Sequence, residues 1–160
     1  MLIMEEVNQR LLQERAKRLA KESVQDNEIP LEMVLLQVGD EQYALELTRL
    51  KAVLPAEVTA LPLAPRTVAG VMNVRGEIVS VLDLAALLKF ERDEKAAASV
   101  VLTETKFGAI GLRIYGVPEL YQAFQSQLSP ALSGRDSVRG VFEGRVAWLD
   151  VDALCAGLDL

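Results

Sequence analysis

Few side chains in this sequence could do chemistry. The chain carries 17 Lys and Arg, 23 Asp and Glu, a single cysteine (Cys155) and no histidine. Imidazole is the commonest general acid–base group and the commonest metal ligand. Its absence, with only one thiol, argues against zinc sites and against Ser/His or Cys/His nucleophiles. An enzyme built from this chain would have to work with carboxylates or lysines alone. Asp83 and Asp150 form the one suggestive carboxylate pair, since each follows an apolar run and opens a helix-like segment. N-capping accounts for both, because an aspartate there accepts an otherwise free backbone N–H of the first turn. The glycines are scattered singly and make no phosphate-cradling loop. Cys155 reads as a small buried hydrophobe, and Trp148, which alternates within VAWLDV, as a core or half-buried residue. We expect no cofactor and no catalytic residues.

What remains is binding. Residues 68–84, VAGVMNVRGEIVSVLDL, are almost wholly apolar except where Asn73-Val74-Arg75-Gly76 interrupts them. A turn needs the glycine and welcomes the asparagine, but it does not need the arginine. Arg75 is either a solvated turn residue with one local salt bridge or an interface residue. Arginine is enriched at binding hot spots and pairs carboxylates bidentately. Nearby, Leu47–Val53 is read as a short extended or helical turn with Leu50 and Val53 on one side. Exposed apolar residues beside an arginine would form a recognition groove.

The elements that must hold these residues are mostly strands. MVLLQV (33–38), the turn Gly39–Gln42 and alternating YALEL (43–47) read as a hairpin. Prolines 55, 62 and 65 keep the next segment extended and off central strands. VAGVMNV and EIVSVLDL follow, then a short helix at Leu84–Leu88 capped by Asp83, then a charged loop at 89–98. The pattern then repeats. VVLTET (100–105) and GAIGLRI (108–114) echo the first hairpin, VRGVF (138–142) echoes VAGVM (68–72), and RVAWLDVDALC (145–155) echoes IVSVLDLAALL (78–88). Two related halves of about five strands, 31–98 and 99–158, would close into small barrels that leave no exposed edge. The second half has only Glu143-Gly144 where the first has Asn73-Val74-Arg75-Gly76, so the first is expected to carry the longer turn, with Arg75 at its tip.

Residues 1–30 stand outside this repeat. Residues 3–21 read as an amphipathic helix with Met4, Val7, Leu11, Leu12, Leu19 and Ala20 on one stripe. The stripe packs on the protein's own body or docks on a partner, and a marginal helix that frays is the third reading. Residues 21–30 read as a polar linker ending in Pro30. The 160 residues suffice for their own core. The net charge of −6 gives no basic field for nucleic acid. No apolar run is long enough to span a bilayer, the N-terminus is too charged for a signal peptide, and one cysteine suits a reducing cytoplasm.

The stretches GDEQYALEL, TRLKAV and VTALP, followed by VAGVMNVRGEIVSVLDL, resemble the CheW family, the adaptors of bacterial chemosensory arrays. The family pattern G-V-x-N-L-R-G-x-I-V-P-V-I-D-L reads here GVMNVRGEIVSVLDL. VVLTETKFGAIGLRIYGVPEL and VRGVFEGRVAWLDVDALC resemble the family's second barrel, so the likeness covers about residues 31–158. The resemblance implies a mainly β fold of two intertwined five-stranded SH3-like barrels, with no enzymatic activity. It implies binding to the cytoplasmic tips of methyl-accepting chemoreceptors and to the regulatory domain of the histidine kinase CheA, and association with other CheW-like domains in array rings. It implies neither nucleic-acid binding nor membrane insertion, and a cytoplasmic protein held at the membrane only through receptor arrays. Carried over, the receptor contacts fall on Arg75 and Leu50 with Val53, Asn73 and Val74, and the kinase contacts on Gly111, Leu112, Ile114 and Val117. Three positions depart from the pattern. Ala52 replaces a glutamate able to partner the arginine, Ser80 replaces a proline, and Val74 replaces a leucine. A CheW-like scaffold outside chemotaxis, in motility or polar localisation, is the second reading.

Overall fold

The computed structural model describes residues 8–17, 28–91, 97–132 and 134–158. Residues 8–17 form helix α1, inside the span where the apolar stripe predicts one. The remainder of that span, most of the 21–30 linker and the middle of the 89–98 loop lie outside the described residues.

From Leu31 onward the described residues form a second compact unit of eleven strands and two short helices. The order is β1 (Leu31–Val38), β2 (Glu41–Glu46), β3 (Leu50–Pro55), β4 (Val68–Val74), β5 (Glu77–Asp83), α2 (Leu84–Leu87), β6 (Ala98–Thr105), β7 (Gly108–Tyr115), β8 (Glu119–Ala123), β9 (Leu128–Pro130), β10 (Val138–Phe142), β11 (Val146–Leu149) and α3 (Val151–Ala156).

The strands make a six-stranded sheet, β8-β1-β2-β11-β10-β9, and a five-stranded sheet, β3-β6-β7-β5-β4. Neither sheet is one half of the sequence. The hairpin β1–β2 of the first half pairs with β8 and β11 of the second, and the hairpin β6–β7 of the second half pairs with β3 and β5 of the first. The halves therefore exchange their opening hairpins, and in this sense the subdomains are intertwined. The exchange explains why MVLLQV and VVL are apolar runs rather than alternating strands. On β1, Val34, Leu36 and Val38 face a core shared by the two sheets, while Met33 faces a second core within the six-stranded sheet. On β6, Val101 faces the shared core and Val100 a third core within the five-stranded sheet. A strand covered on both faces has no polar side to show.

Closure differs from the expected five-stranded barrels. In the five-stranded sheet the gap between β3 and β4 is spanned by chain rather than by a full ladder. The chain leaves β3 at Pro55, and Thr59 exchanges backbone hydrogen bonds with Val71 of β4 at 2.8 and 2.9 Å. In the six-stranded sheet β9 does the same job against β10. Both crossings need a glycine. A Cβ on Gly70 would lie 2.0 Å from the Thr59 carbonyl oxygen, and one on Gly140 would lie 2.8 Å from that of Ser129. Each glycine sits where its hairpin's register shifts, the usual mark of a bulge that re-aims a strand.

Asp83 and Asp150 are N-caps, as their positions predict. Their Oδ1 atoms accept from Ala86 N at 3.0 Å and Ala153 N at 3.1 Å.

Candidate interaction surface

The hairpin β4–β5 carries Arg75. Val74 pairs with Glu77, so only Arg75 and Gly76 form the turn, with φ of 51° and 86°. Two-residue hairpin loops with both residues at positive φ match the twist of their strands. Asn73 supports the turn by accepting from Gly76 N at 2.8 Å. In the second half Phe142 pairs with Val146, and Glu143 and Gly144 take φ of 52° and 66°. The expected longer turn in the first half is thus a longer arm. Asn73 and Val74 add two strand rungs, against Ile78 and Glu77, and carry Arg75 outward, at about 3.3 Å per residue.

Two grooves flank the arginine. One, of about 340 Å³, is lined by Lys51, Ala52, Leu54, Val74, Arg75, Glu77 and Leu102. The other, of about 220 Å³, lies between Leu54, Pro55 and Glu57 on one side and Met72–Arg75 on the other. Lys51 is occupied by Glu104 at 2.7 Å, and this bond raises the lysine pKa. Among the described residues Arg75 has no ion pair, so it is the cation free to meet an incoming group.

The structure gathers Arg75, Val74 and Asn73 at this surface but separates Leu50 from Val53. Both lie on β3, a strand rather than the single-sided turn expected. Leu50 turns inward and packs against the shared core, whereas Val53 is 44% exposed. Neither lines a groove. Four residues of β3 do, Lys51, Ala52, Leu54 and Pro55; none was expected there, although strand alternation along LKAVLP points Ala52 and Leu54 to the same face.

The four residues expected to face the kinase fare differently. Gly111, Leu112 and Ile114 lie on β7, the middle strand of the same sheet that carries Arg75. Leu112 and Ile114 are buried in the shared core. A Cβ on Gly111 would lie 2.7 Å from Val100 Cγ1. These three are packing positions rather than surface. Val117, in the loop after β7, is 82% exposed, as is Leu120 of edge strand β8 at 79%.

The carboxylate pair is structural. Asp83 is fully buried; besides its cap bond it receives Arg113 Nη2 at 2.7 Å and Tyr115 Oη at 3.3 Å. Asp150 meets Arg139 Nε at 3.4 Å. Both are engaged in holding strand ends to helices. Among the described residues no cluster of His, Cys, Asp or Glu could hold a metal ion. No helix among them is long and apolar enough to cross a membrane.

Residues 32–158 match the family of the CheW-like domain. The chain belongs to the CheW family. It is similar to the probable chemotaxis protein CheW of Rhizobium etli, with 22% identity over 128 residues, 78% of this chain and 81% of the relative. It is 35% identical over 93 residues to the chemotaxis protein CheW of Helicobacter pylori, 56% of each chain. The crystal structure of the scaffolding protein TtCheW from Thermoanaerobacter tengcongensis has the same fold. The TM-score is 0.70 at 19% identity, covering 79% of this chain and 92% of that one. As a CheW-like domain, the chain is a chemotaxis scaffold and not an enzyme.

Proposed function

We propose that this CheW-like chain is the adaptor that couples the cytoplasmic tips of chemoreceptors to the histidine kinase CheA, and that it works in the cytoplasm. The observation that carries the reading is Arg75. It stands at the end of a lengthened hairpin, in a left-handed conformation that an arginine adopts at a cost, between two grooves and without an ion pair among the described residues. A residue kept there for folding alone would be asparagine or glycine. Receptor contact is assigned to Arg75, Val74 and Asn73, with Val53 at the margin. Leu50 supports them from within. Kinase contact is assigned to the exposed surface around Val117. Gly111, Leu112 and Ile114 shape the strand beneath it. Contact with further CheW-like domains in array rings belongs to the same reading.

Co-sedimentation with assemblies of receptor signalling fragments and CheA tests it. The adaptor should pellet with both partners, and Arg75→Ala should selectively weaken the receptor contact. Binding of neither partner would leave the family membership standing and remove the coupling role. A scaffold for motility or polar localisation, to which residues 1–30 contribute, would bind without activating the kinase.

A further inference from the structure

The Arg75 hairpin and the Val117 loop stand at opposite ends of the five-stranded sheet. β5 leaves the Arg75 turn at Glu77 and ends at Asp83, and β7 runs parallel beside it and ends at Tyr115, just before Val117. The seven residues of β5, at about 3.3 Å each, put roughly 20 Å between those ends. The ladder between the two strands runs through Val81 with Gly111, Leu82 with Leu112 and Asp83 with Arg113. Its last rung is also the buried ion pair. The strand that begins at Arg75 is therefore tied by a charge to the strand that leads to Val117.

The pseudo-repeat shows that capping a helix does not require this tie. Asp83 and Asp150 both cap through Oδ1. Their backbone N–H groups both donate to the residue just ahead of the preceding hairpin, Asp83 to Thr67 O at 2.8 Å and Asp150 to Ser137 O at 2.7 Å. The cation differs. Asp150 meets Arg139 of its own half at 3.4 Å with both side chains partly exposed, where a pair is worth little. Asp83 is fully buried and takes Arg113 from the exchanged hairpin of the other half at 2.7 Å. A buried pair is often no more stabilising than apolar packing of the same volume, so stability alone does not account for it.

The geometry of the pair is also incomplete. The guanidinium reaches Asp83 through Nη2, while its Nε is buried without a hydrogen-bond partner among the described residues. This falls short of the bidentate fork that arginine and carboxylate can make. The same Oδ2 accepts from Tyr115 Oη at 3.3 Å, and the guanidinium lies over the Tyr115 ring, 5.8 Å from its centroid. Two donors of one strand thus share one oxygen, and they hold it unequally. A small shift of β5 along its axis trades one for the other.

We infer that Asp83 is a positioning residue for coupling. A shift of the receptor-contacting hairpin moves Oδ2 between Arg113 and Tyr115, and the end of β7 carries that change to the kinase-facing loop. The inference rests on the receptor–kinase reading, since it names the element through which one contact biases the other. Coupling between distant sites needs a packed element with two arrangements that both partners bias. Here the arrangements are the two donors on Oδ2. The way to them is packed, because Val74 beside Arg75 and Val81 near the tie belong to one small core with Val100, the cross-strand partner of Arg113.

The test separates coupling from binding. The affinity for receptor signalling fragments is measured with the full chain alone and with the chain saturated by the CheA regulatory domain. The ratio of the two affinities is the coupling factor, and the wild type should show about fivefold or more. Tyr115→Phe removes one donor from Oδ2 and leaves the cap and the ion pair. Asp83→Asn keeps a good cap and weakens the hold on Arg113. Each variant should bind either partner alone within about twofold of wild type and show a coupling factor below about two. Arg139→Gln, at the exposed counterpart, should couple as wild type does. Wild-type coupling in either folded variant, or loss of binding to one partner alone, overturns the inference and leaves the adaptor role standing. So does a wild type that binds both partners without coupling them. Failure of the wild type to bind either partner overturns the receptor–kinase reading as well. If Asp83→Asn does not fold, Tyr115→Phe decides alone.

Discussion

Arg75 and Glu143 hold the same left-handed conformation at the ends of corresponding hairpins, with φ of 51° and 52°, and carry opposite charges. Glu143 is engaged at once by Tyr121 and Arg145, at 2.9 and 3.0 Å. Arg75 is not. The fold thus uses one hairpin end to finish its own sheet and leaves the other without an ion pair among the described residues.

If folding does not need the arginine, its removal is tolerated. Arg75→Ala should change unfolding free energy by no more than about 0.5 kcal/mol in a urea titration. Arg75→Asn should be stabilising by about 0.5–1 kcal/mol, because asparagine accepts the left-handed turn more readily. Both should weaken partner binding, so stability and binding move in opposite directions in the asparagine variant.

Asp83 is the opposite case. It sits beside Arg113 in the parallel register of β5 and β7, fully buried against an arginine side chain that is 17% exposed. Asp83→Ala removes a cap and strands the guanidinium, which should cost about 3–5 kcal/mol. Asp83→Asn keeps a good cap and should cost less. Thermal melts of the two variants separate the cap from the charge.

The glycines make a matched pair. Gly70→Ala drives a Cβ into the Thr59 carbonyl at the point where the five-stranded sheet is closed. It should destabilise by about 3 kcal/mol or more, with loss of amide protection at Thr59 and Val71. At Gly76 a Cβ meets open space, so Gly76→Ala should cost only the backbone term, about 1–2 kcal/mol.

Acid should loosen the tie between α3 and the turn after β2. Arg49 meets Asp152 Oδ2 at 3.0 Å, and this bond, aided by Lys106 N, lowers the carboxyl pKa below its ordinary 3.8. A lowered folded-state pKa means the stabilisation is complete above that ordinary value and is lost as pH falls through the lower one. The wild type should therefore lose more stability than Asp152→Asn between pH 4 and the acid limit.

Cys155 lies on the buried face of α3 and its thiol is pushed up to about 11, chiefly by burial with the Asp152 charge adding to it. At pH 8 it should react with a disulfide reagent only when the protein unfolds, so labelling should follow the denaturation curve.

Much of the fold was legible because it is locally encoded. The hairpin turns, the two aspartate caps and the repeat of VAGVM in VRGVF are each set by neighbours in sequence. The hairpin exchange is not, and it misled the reading of the second half. The resemblance places kinase contacts on Gly111, Leu112 and Ile114, but β7 lands in the middle of the other half's sheet. The Arg113–Asp83 pair, 30 residues apart, follows from the same exchange. At the candidate surface Arg75 announced itself by being unnecessary for a turn. Leu54 did not, because nothing local separates it from the other leucines of the strands.

The most direct test of the coupling role is CheA autophosphorylation in membranes carrying chemoreceptors, with wild-type adaptor or with Arg75→Glu. The account predicts that wild type raises kinase activity well above that of receptors and CheA alone and that the charge-reversed variant, equally folded, does not. Equal activation by both, or none by the wild type, would contradict it.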